Sequence, residues 1–236
     1  MSKYYAIGDI HGMLSKLEAL LATIPIDKDR DTLIFLGDYI DRGPHSRGVI
    51  QRIIDLKDEG YKVIALKGNH EAVFLEFLKG RFDYWSYRHN FEGQSTLRDY
   101  SYDLNYMYTK KTVGNPPDVR EHFLYEDEEG RRLLIPLTHL HFLESLPLYY
   151  ETDEFIFVHA GLYPHVPLIE QKEQDLLWIK AKFLLCEAPF EKIVVHGHTA
   201  AREPVVTQSK IGIDTGACYG GKLTCVCLPG LKFYSV

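Results

Sequence analysis

Leu33-Ile34-Phe35-Leu36-Gly37-Asp38-Tyr39-Ile40-Asp41-Arg42-Gly43 is the stretch on which the reading of the chain turns. Its four apolar residues read as a buried strand that ends at Gly37, and two carboxylates and a guanidinium follow within five positions. An apolar strand that delivers Asp38, Asp41 and Arg42 onto a glycine-bounded loop is a poor start to a core. It is a good start to a site for a cation and a phosphate together, because carboxylates are hard oxygen ligands and a guanidinium is a planar fork for phosphoryl oxygens. The bland alternative is a solvated Asp-Arg turn, and short motifs do match by chance. The neighbouring segments decide.

Upstream, Lys3 to Ile7 reads as a strand leading to Gly8-Asp9-Ile10-His11-Gly12, after which Leu14, Leu17, Leu20 and Leu21 recur at helical spacing. Downstream, Val49, Ile50, Ile53, Ile54 and Leu56 give a second amphipathic helix that Gly60 ends. Val63 to Leu66 is a third strand, running into Lys67-Gly68-Asn69-His70-Glu71 and a helix through Phe77. Three strand–loop–helix units in succession predict an α/β sheet of largely parallel strands, with ligands at the strands' carboxyl ends. All three polar loops lie there.

Residues 80–135 are rich in aromatics, among them Phe82, Tyr84, Trp85, Tyr87, Phe91, Tyr100, Tyr102, Tyr106 and Tyr108, and carry Gly114-Asn115-Pro116-Pro117. They read as a helical insertion whose rings serve packing, with base stacking the lesser alternative. Pro136 suits the first turn of a helix through Leu143. Phe155 to Val158 is a strand ending in His159-Ala160-Gly161, 175–185 reads as one helix, and Ile193 to Val195 leads to His196-Gly197-His198-Thr199. Strands over Ile211–Ile213, Leu223–Leu228 and Leu231–Tyr234 close the chain, the last two joined by a Pro229-Gly230 turn. No repeat or linker appears, so 1–236 reads as one domain.

Composition narrows the classes. With 236 residues, 45% hydrophobic and 25% charged, the chain can bury a sizeable core. A net charge of −6 argues against a general nucleic-acid binder. No apolar run has the length of a membrane span, and Met1-Ser2-Lys3-Tyr4-Tyr5 is no signal peptide. The four cysteines, Cys186, Cys218, Cys225 and Cys227, form no C-x-x-C and read as reduced thiols, for which a cytoplasmic location is expected.

Five strand-end loops therefore carry metal-competent side chains: Asp9 and His11, Asp38, Asn69 and His70, His159, and His196 with His198. One such histidine would be an ordinary hydrogen-bonded residue; five loops on one sheet edge are hard to explain that way. Carboxylate, amide and imidazole together suit manganese, iron or zinc better than calcium or magnesium. There are too many ligands for one tetrahedral ion, and a carboxylate shared by two ions is the economical solution, with Asp38 the candidate.

GDIHG at 8–12, GDYIDRG at 37–43, GNHE at 68–71, HAG at 159–161 and GHT at 197–199 together resemble the signature set of the phosphoprotein phosphatase family, the calcineurin-like metallophosphoesterases. The likeness covers both ends of the chain and matches 80–135 only loosely. It implies a central β-sandwich of mixed sheets flanked by helices, with a helical insertion. It further implies two divalent metals, manganese expected, the first on Asp9, His11 and Asp38 and the second on Asp38, Asn69, His159 and His198. A hydroxide bridging them attacks phosphorus, Arg42 and Asn69 hold the phosphoryl group, and His70, oriented by Asp41, protonates the leaving alkoxide. Of the two late histidines, only His198, between Gly197 and Thr199, fits the pattern. Lys180 departs from it: relatives carry an arginine two residues after the matching Trp178, and lysine keeps that phosphate contact's charge without the fork.

The resemblance points to a bacterial-type phosphatase of phosphoserine and phosphothreonine in proteins. A symmetrical diadenosine tetraphosphate hydrolase is the rival on the same scaffold; members of that rival branch tend to replace the residue matching Asp41 and to carry GNHD, so Asp41 with Glu71 favours the protein phosphatase. A non-catalytic phosphoprotein-binding module would have lost ligands, and none is lost. Covalent phosphatase chemistry is not expected, since the Cys-x5-Arg loop is missing, Cys186 being followed six positions on by Lys192. The partner expected is a phosphoprotein or small phosphoester, with no nucleic acid and no membrane.

Overall fold

In the computed structural model, which describes residues 2–101 and 121–236, the three expected strand–loop–helix units form. β1 (Tyr4–Ile7), β2 (Thr32–Phe35) and β3 (Lys62–Ala65) lead to α1 (Leu14–Thr23), α2 (Ser46–Asp58) and α3 (Asn69–Leu78). The strands pair in parallel, Ala6 opposite Ile34 and Ile34 opposite Ile64. Successive side chains of a strand face opposite ways. Tyr5, Ile7, Leu33 and Phe35 accordingly pack with Leu17, Leu20, Val49, Ile53 and Phe74 of the helices. Ala6, Ile34 and Leu36 belong to the core on the other side.

The aromatic segment is helical only in its first part. Asp83 caps α4 (Tyr84–Asn90) by accepting the Ser86 N–H, and α5 (Gln94–Tyr100) follows. Tyr87 stacks on Phe77 with ring centres 4.8 Å apart, and Tyr100 on Phe74 at 6.0 Å, so these two rings do pack as expected. Trp85 stays half exposed. Tyr102, Tyr106, Tyr108 and the 114–117 turn lie outside the described residues. The expectation of helix fails for 122–136, where β4 (His122–Glu126) and β5 (Arg132–Pro136) form an antiparallel hairpin. Two short apolar runs, Phe123 to Tyr125 and Leu133 to Ile135, flank a turn containing Gly130 at φ 76°, which suits a strand pair and interrupts a helix. Pro136 precedes α6 (Leu137–Glu144) at its N-cap, one residue before the expected first turn.

The second half begins with β6 (Tyr149–Glu151) and β7 (Phe155–Val158). The single helix expected over 175–185 is two short ones, α7 (Glu173–Trp178) and α8 (Ala181–Leu184), parted by an extended Ile179 at φ −61°, ψ 139°. The break has a reason. Trp178 and Lys180 both line one cleft while Ile179 stays buried, and a continuous helix would set positions 178 and 180 roughly 200° apart. β8 (Ile193–His196), β9 (Val205–Val206) and β10 (Lys210–Gly212) follow, then β11 (Thr224–Leu228) and β12 (Lys232–Ser235).

Two five-stranded sheets result, in the orders β12-β11-β1-β2-β3 and β6-β7-β8-β10-β9. Each has two parallel and two antiparallel pairings, so both are mixed. They pack face to face through Ala6, Ile34, Leu66 and Val226 against Phe155, Phe157, Val195 and Ile211. Leu176 and Phe183 of α7 and α8 cover the outer side of the second sheet at Ile156 and Val158. This is the expected sandwich flanked by helices, and cover on both faces accounts for the unbroken apolar runs of the strands. All four cysteines are unpaired. No helix among the described residues is long and apolar enough to cross a membrane.

Candidate active site

Each of the six parallel strands hands over to a polar loop. β1 leads to Asp9 and His11, β2 to Asp38, Asp41 and Arg42, β3 to Asn69 and His70, β7 to His159, β8 to His198, and β10 to Asp214. The backbone of these loops is strained: His11, Asp38, Asp41, Arg42 and His198 have φ of 45°, 54°, 69°, 65° and 64°. Residues with a Cβ seldom adopt that region, at a cost on the order of 1–3 kcal/mol each, and such strain gathers at functional sites. The loops are also pressed together. Gly37 has φ 99°, and a Cβ there would lie 2.6 Å from the Gly68 nitrogen, so only glycine lets the β2 and β3 loops close on each other.

Asp38 is the hub. His11 Nε2 lies 3.3 Å and His70 Nε2 3.9 Å from its Oδ2, and His159 Nε2 lies 3.4 Å from its Oδ1. Two groups able to hold a cation share it: His11, Asp38 and His70, and Asp38, His159 and His198. Asn69 joins the second through its Oδ1, 2.8 Å from His159 Nε2. Asp9 stands outside both groups, its two oxygens each accepting the His198 backbone N–H at 3.1 Å.

The protonation pattern shows what this set is built for. His11 and His159 donate Nδ1–H to the carbonyls of Ile40 and Leu36, at 2.8 and 2.9 Å, leaving each Nε2 a lone pair toward Asp38. Burial lowers the pKa of His159 and, with His159 beside it, pushes His198 down to about 3, so both are neutral. His159 Nε2, Asn69 Oδ1 and Asp38 Oδ1 are then three acceptors facing one another. His198 Nε2 is buried with no hydrogen-bond partner among the described residues. Burial, Asp214 and Asp38 push Asp9 well above the usual carboxylate range, a mark of crowded negative charge. Converging acceptors and crowded carboxylates lack cations, and the nitrogen–oxygen donor mix fits divalent metals.

Arg42 and His70 stand at the mouth. Arg42 donates Nε–H to Glu92 at 2.6 Å and lies 5.2 Å over the Tyr219 ring. His70 donates Nδ1–H to Asp41 at 2.7 Å. Asp41 is wholly buried and also accepts the hydroxyls of Tyr87 at 2.6 Å and Thr96 at 2.5 Å. Burial would lower the His70 pKa; Asp38 and Asp41 more than offset it and raise it. Arg42 and His70, with Asp38, Asn69, Trp178, Lys180, His198 and Tyr219, line an open cleft of about 350 Å³. Lys180 is thus brought to the site.

His196 is not. It is buried edge-on to Phe183, 4.9 Å between ring centres, and its Nδ1 meets the Gly197 carbonyl at 3.2 Å. Glu71 does not reach the cleft either. Its carboxylate accepts the backbone N–H groups of Gly68, Asp38, Tyr39 and Ile40, at 2.9, 2.9, 2.8 and 3.3 Å, and so fixes the loop that carries Asp38.

Sequence reasoning passed over Asp214, Glu92, Tyr219, Tyr87 and Thr96. Asp214 had a signal, because Ile211 to Ile213 is one more apolar strand ending at a carboxylate. Tyr87 and Thr96 had none; only the folding of α4 and α5 onto the β2 loop brings them to Asp41.

Residues 2–216 match the family model of the calcineurin-like phosphoesterases. A Bacillus cereus (strain Q1) protein named bis(5'-nucleosyl)-tetraphosphatase PrpE (asymmetrical) is 26% identical over 264 residues, spanning 99% of this chain and 94% of that protein. A solved structure of a proposed diadenosine tetraphosphatase superposes with TM-score 0.65 at 22% identity, over 99% of this chain and 92% of that one. A point mutant of a cold-active protein tyrosine phosphatase does so with TM-score 0.60 at 17% identity, over 99% and 77%.

Proposed function

The chain belongs to the calcineurin-like phosphoesterase family, whose chemistry is metal-dependent phosphoester hydrolysis, and from that premise we propose that it cleaves dinucleoside tetraphosphates asymmetrically. The observation that carries the hydrolytic reading is Asp38 met by imidazoles on both sides, at 3.3 Å from His11 and 3.4 Å from His159, with Arg42 beside it. The substrate reading is supported by the name of a relative alignable over 99% of the chain. The same name speaks against the symmetrical cleavage weighed from sequence.

Two divalent metals held by Asp9, His11 and Asp38 and by Asp38, Asn69, His159 and His198 would supply Lewis acidity, neutralising phosphoryl charge and acidifying the attacking water. Manganese is the metal expected; iron or zinc suits the same donors. Arg42 presents its fork to the phosphoryl oxygens, Asn69 adds an amide, and Lys180 adds positive charge from the cleft wall. His70, charged by virtue of Asp41, gives its Nε2 proton to the leaving oxygen as the bond to phosphorus breaks.

That acid favours a second reading, the phosphoserine or phosphothreonine phosphatase. A serine alkoxide needs a proton to leave, and a triphosphate needs it far less. The preference based on Asp41 and Glu71 carries less weight, because Glu71 is spent on backbone N–H groups. The test is kcat/KM for diadenosine tetraphosphate and for phosphoserine and phosphothreonine peptides under one metal and pH, with the nucleotide products identified. A tenfold preference, about 1.4 kcal/mol of transition-state binding, decides between the two. Nucleoside diphosphate as the sole nucleotide product would refute asymmetrical cleavage.

A further inference from the structure

Beside the catalytic cleft lies a second cavity of about 620 Å³ that the reaction above does not use. Arg42, His89, Glu92 and Tyr219 line both, so the two adjoin. The further wall is cationic, with Arg88 from α4 and Arg98 from α5. Among the described residues the lining holds one carboxylate, Glu92, and it is tied to Arg42 at 2.6 Å. Two polar groups of this wall are left over. Ser95 is 7% exposed and its hydroxyl has no hydrogen-bond partner among the described residues, and neither has the buried Nε–H of Arg88. A buried donor without an acceptor costs about 1–3 kcal/mol. A cavity walled by two guanidiniums, with its carboxylate already paired, suits an anion rich in acceptor oxygens.

We propose that this cavity is a subsite for a second phosphoryl group, so that the preferred substrate carries a polyphosphate chain running from the metal centre past Arg42 to Arg88, Arg98 and Ser95. The inference rests on the tetraphosphate reading and deepens it. A guanidinium matches phosphoryl oxygens with paired donors, and a hydroxyl donates to a third. Adjacency to the catalytic cleft, with Arg42 lining both cavities, favours a ligand whose phosphoryl groups are joined directly, as in a phosphoanhydride chain. A single phosphomonoester leaves the subsite unused. Arg88 also lies 5.3 Å over the Trp85 ring, a cation–π contact that restrains its guanidinium.

The test compares wild-type metal-loaded protein with Arg88→Ala/Arg98→Ala, at fixed free metal, by calorimetric titration with inorganic tripolyphosphate and with inorganic phosphate. Turnover of diadenosine tetraphosphate, nitrophenyl phosphate and a doubly phosphorylated serine peptide is measured alongside. Tripolyphosphate binding and tetraphosphate kcat/KM are expected to fall at least about tenfold, the worth of one charge-assisted contact. Phosphate binding and nitrophenyl phosphate turnover stay within about twofold, which also shows that the variant is folded. Should the double variant not fold, Arg98→Glu alone, at an exposed side chain, is expected to give the same selective loss. Equal losses for tripolyphosphate and phosphate, or no loss, would overturn the subsite. An arginine-dependent preference for the doubly phosphorylated peptide would overturn the polyphosphate assignment. Arginine-dependent tripolyphosphate binding by an enzyme that leaves diadenosine tetraphosphate intact would uphold the subsite and discard the tetraphosphate reading.

Discussion

Exchanging Asp41 for asparagine removes one charge and turns one hydrogen bond around. Oδ1 of Asp41 accepts the hydroxyls of Tyr87 and Thr96 at 2.6 and 2.5 Å, and Oδ2 takes the His70 Nδ1–H at 2.7 Å. An asparagine satisfies both hydroxyls only with its oxygen in the Oδ1 place, which sets its NH2 against His70 Nδ1. Two donors cannot face each other, so His70 must surrender the Nδ1 proton and become a neutral Nε2–H tautomer, a far weaker acid. At present Asp38 and Asp41 raise its pKa against burial; in the variant Asp38 acts alone, and the charged form survives only to lower pH. A missing general acid costs about 10² to 10⁴ in rate, about 3–5 kcal/mol. The assay is kcat against pH for a phosphoserine peptide and for nitrophenyl phosphate. The peptide is expected to lose that factor, with its alkaline limb moved to lower pH, and the aryl ester less than about tenfold because its leaving group scarcely needs a proton. His70→Asn should reproduce the contrast. Equal losses on both substrates with an unmoved limb would refute the acid role and leave Asp41 a packing residue.

Chelation is expected to abolish turnover, with manganese restoring it best, and Asp38→Asn to lose most metal and most activity together; full activity in verified metal-free protein would refute the centre. Glu71→Ala strips the acceptor from four buried N–H groups and should cost at least about 2 kcal/mol, lowering Tm by about 4 °C or more in calorimetry. His139 is buried as a neutral ring, accepting from Tyr100 and donating to Gln51, both at 2.8 Å, and burial pushes its pKa from 6.5 down to about 4. Above pH 6.5 neither folded nor unfolded form is charged there; below it the unfolded chain takes the proton first, so stability should fall by up to about 3 kcal/mol as pH drops to 4, and denaturant titrations of His139→Gln should show a shallower fall.

What the sequence made legible was the part governed by short-range rules. An apolar run ending at glycine or a polar residue marks the carboxyl end of a buried parallel strand, and that rule placed Asp9, Asp38, Asn69, His159 and His198 at strand ends, though on one sheet edge where the structure divides them between two sheets packed face to face. The same rule extended to Ile213-Asp214 would have found the sixth loop. Residues 175–185 kept helical spacing in their apolar positions, Leu176, Leu177 and Phe183, which hid a break whose cause is the cleft on its flank. Tyr87 and Thr96 reach Asp41 across 46 and 55 residues, and no local pattern encodes such a meeting. Glu71 lies inside a recognisable motif yet serves the backbone, so its identity says more about a loop's shape than about a substrate.

The division of the ligands between the two sheets has a mechanical consequence. Asp38 and His11 ride on one sheet and His159 and His198 on the other, and beyond a few loop hydrogen bonds such as His159 to the Leu36 carbonyl the sheets are held face to face by apolar contacts. Such contacts resist separation well and sliding less well, because the hydrophobic effect has no direction. A pair of bound metals would act as rivets across that seam, suppressing slip and adding stability in proportion to the logarithm of metal concentration over its dissociation constant. Conversely, a slip of about 1 Å between the layers is enough to cost on the order of a hundredfold in a positioned reaction. The sandwich is therefore a vice whose jaws carry the chemistry, and its grip is set by the apolar faces of Ile34, Leu66, Phe157 and Val195.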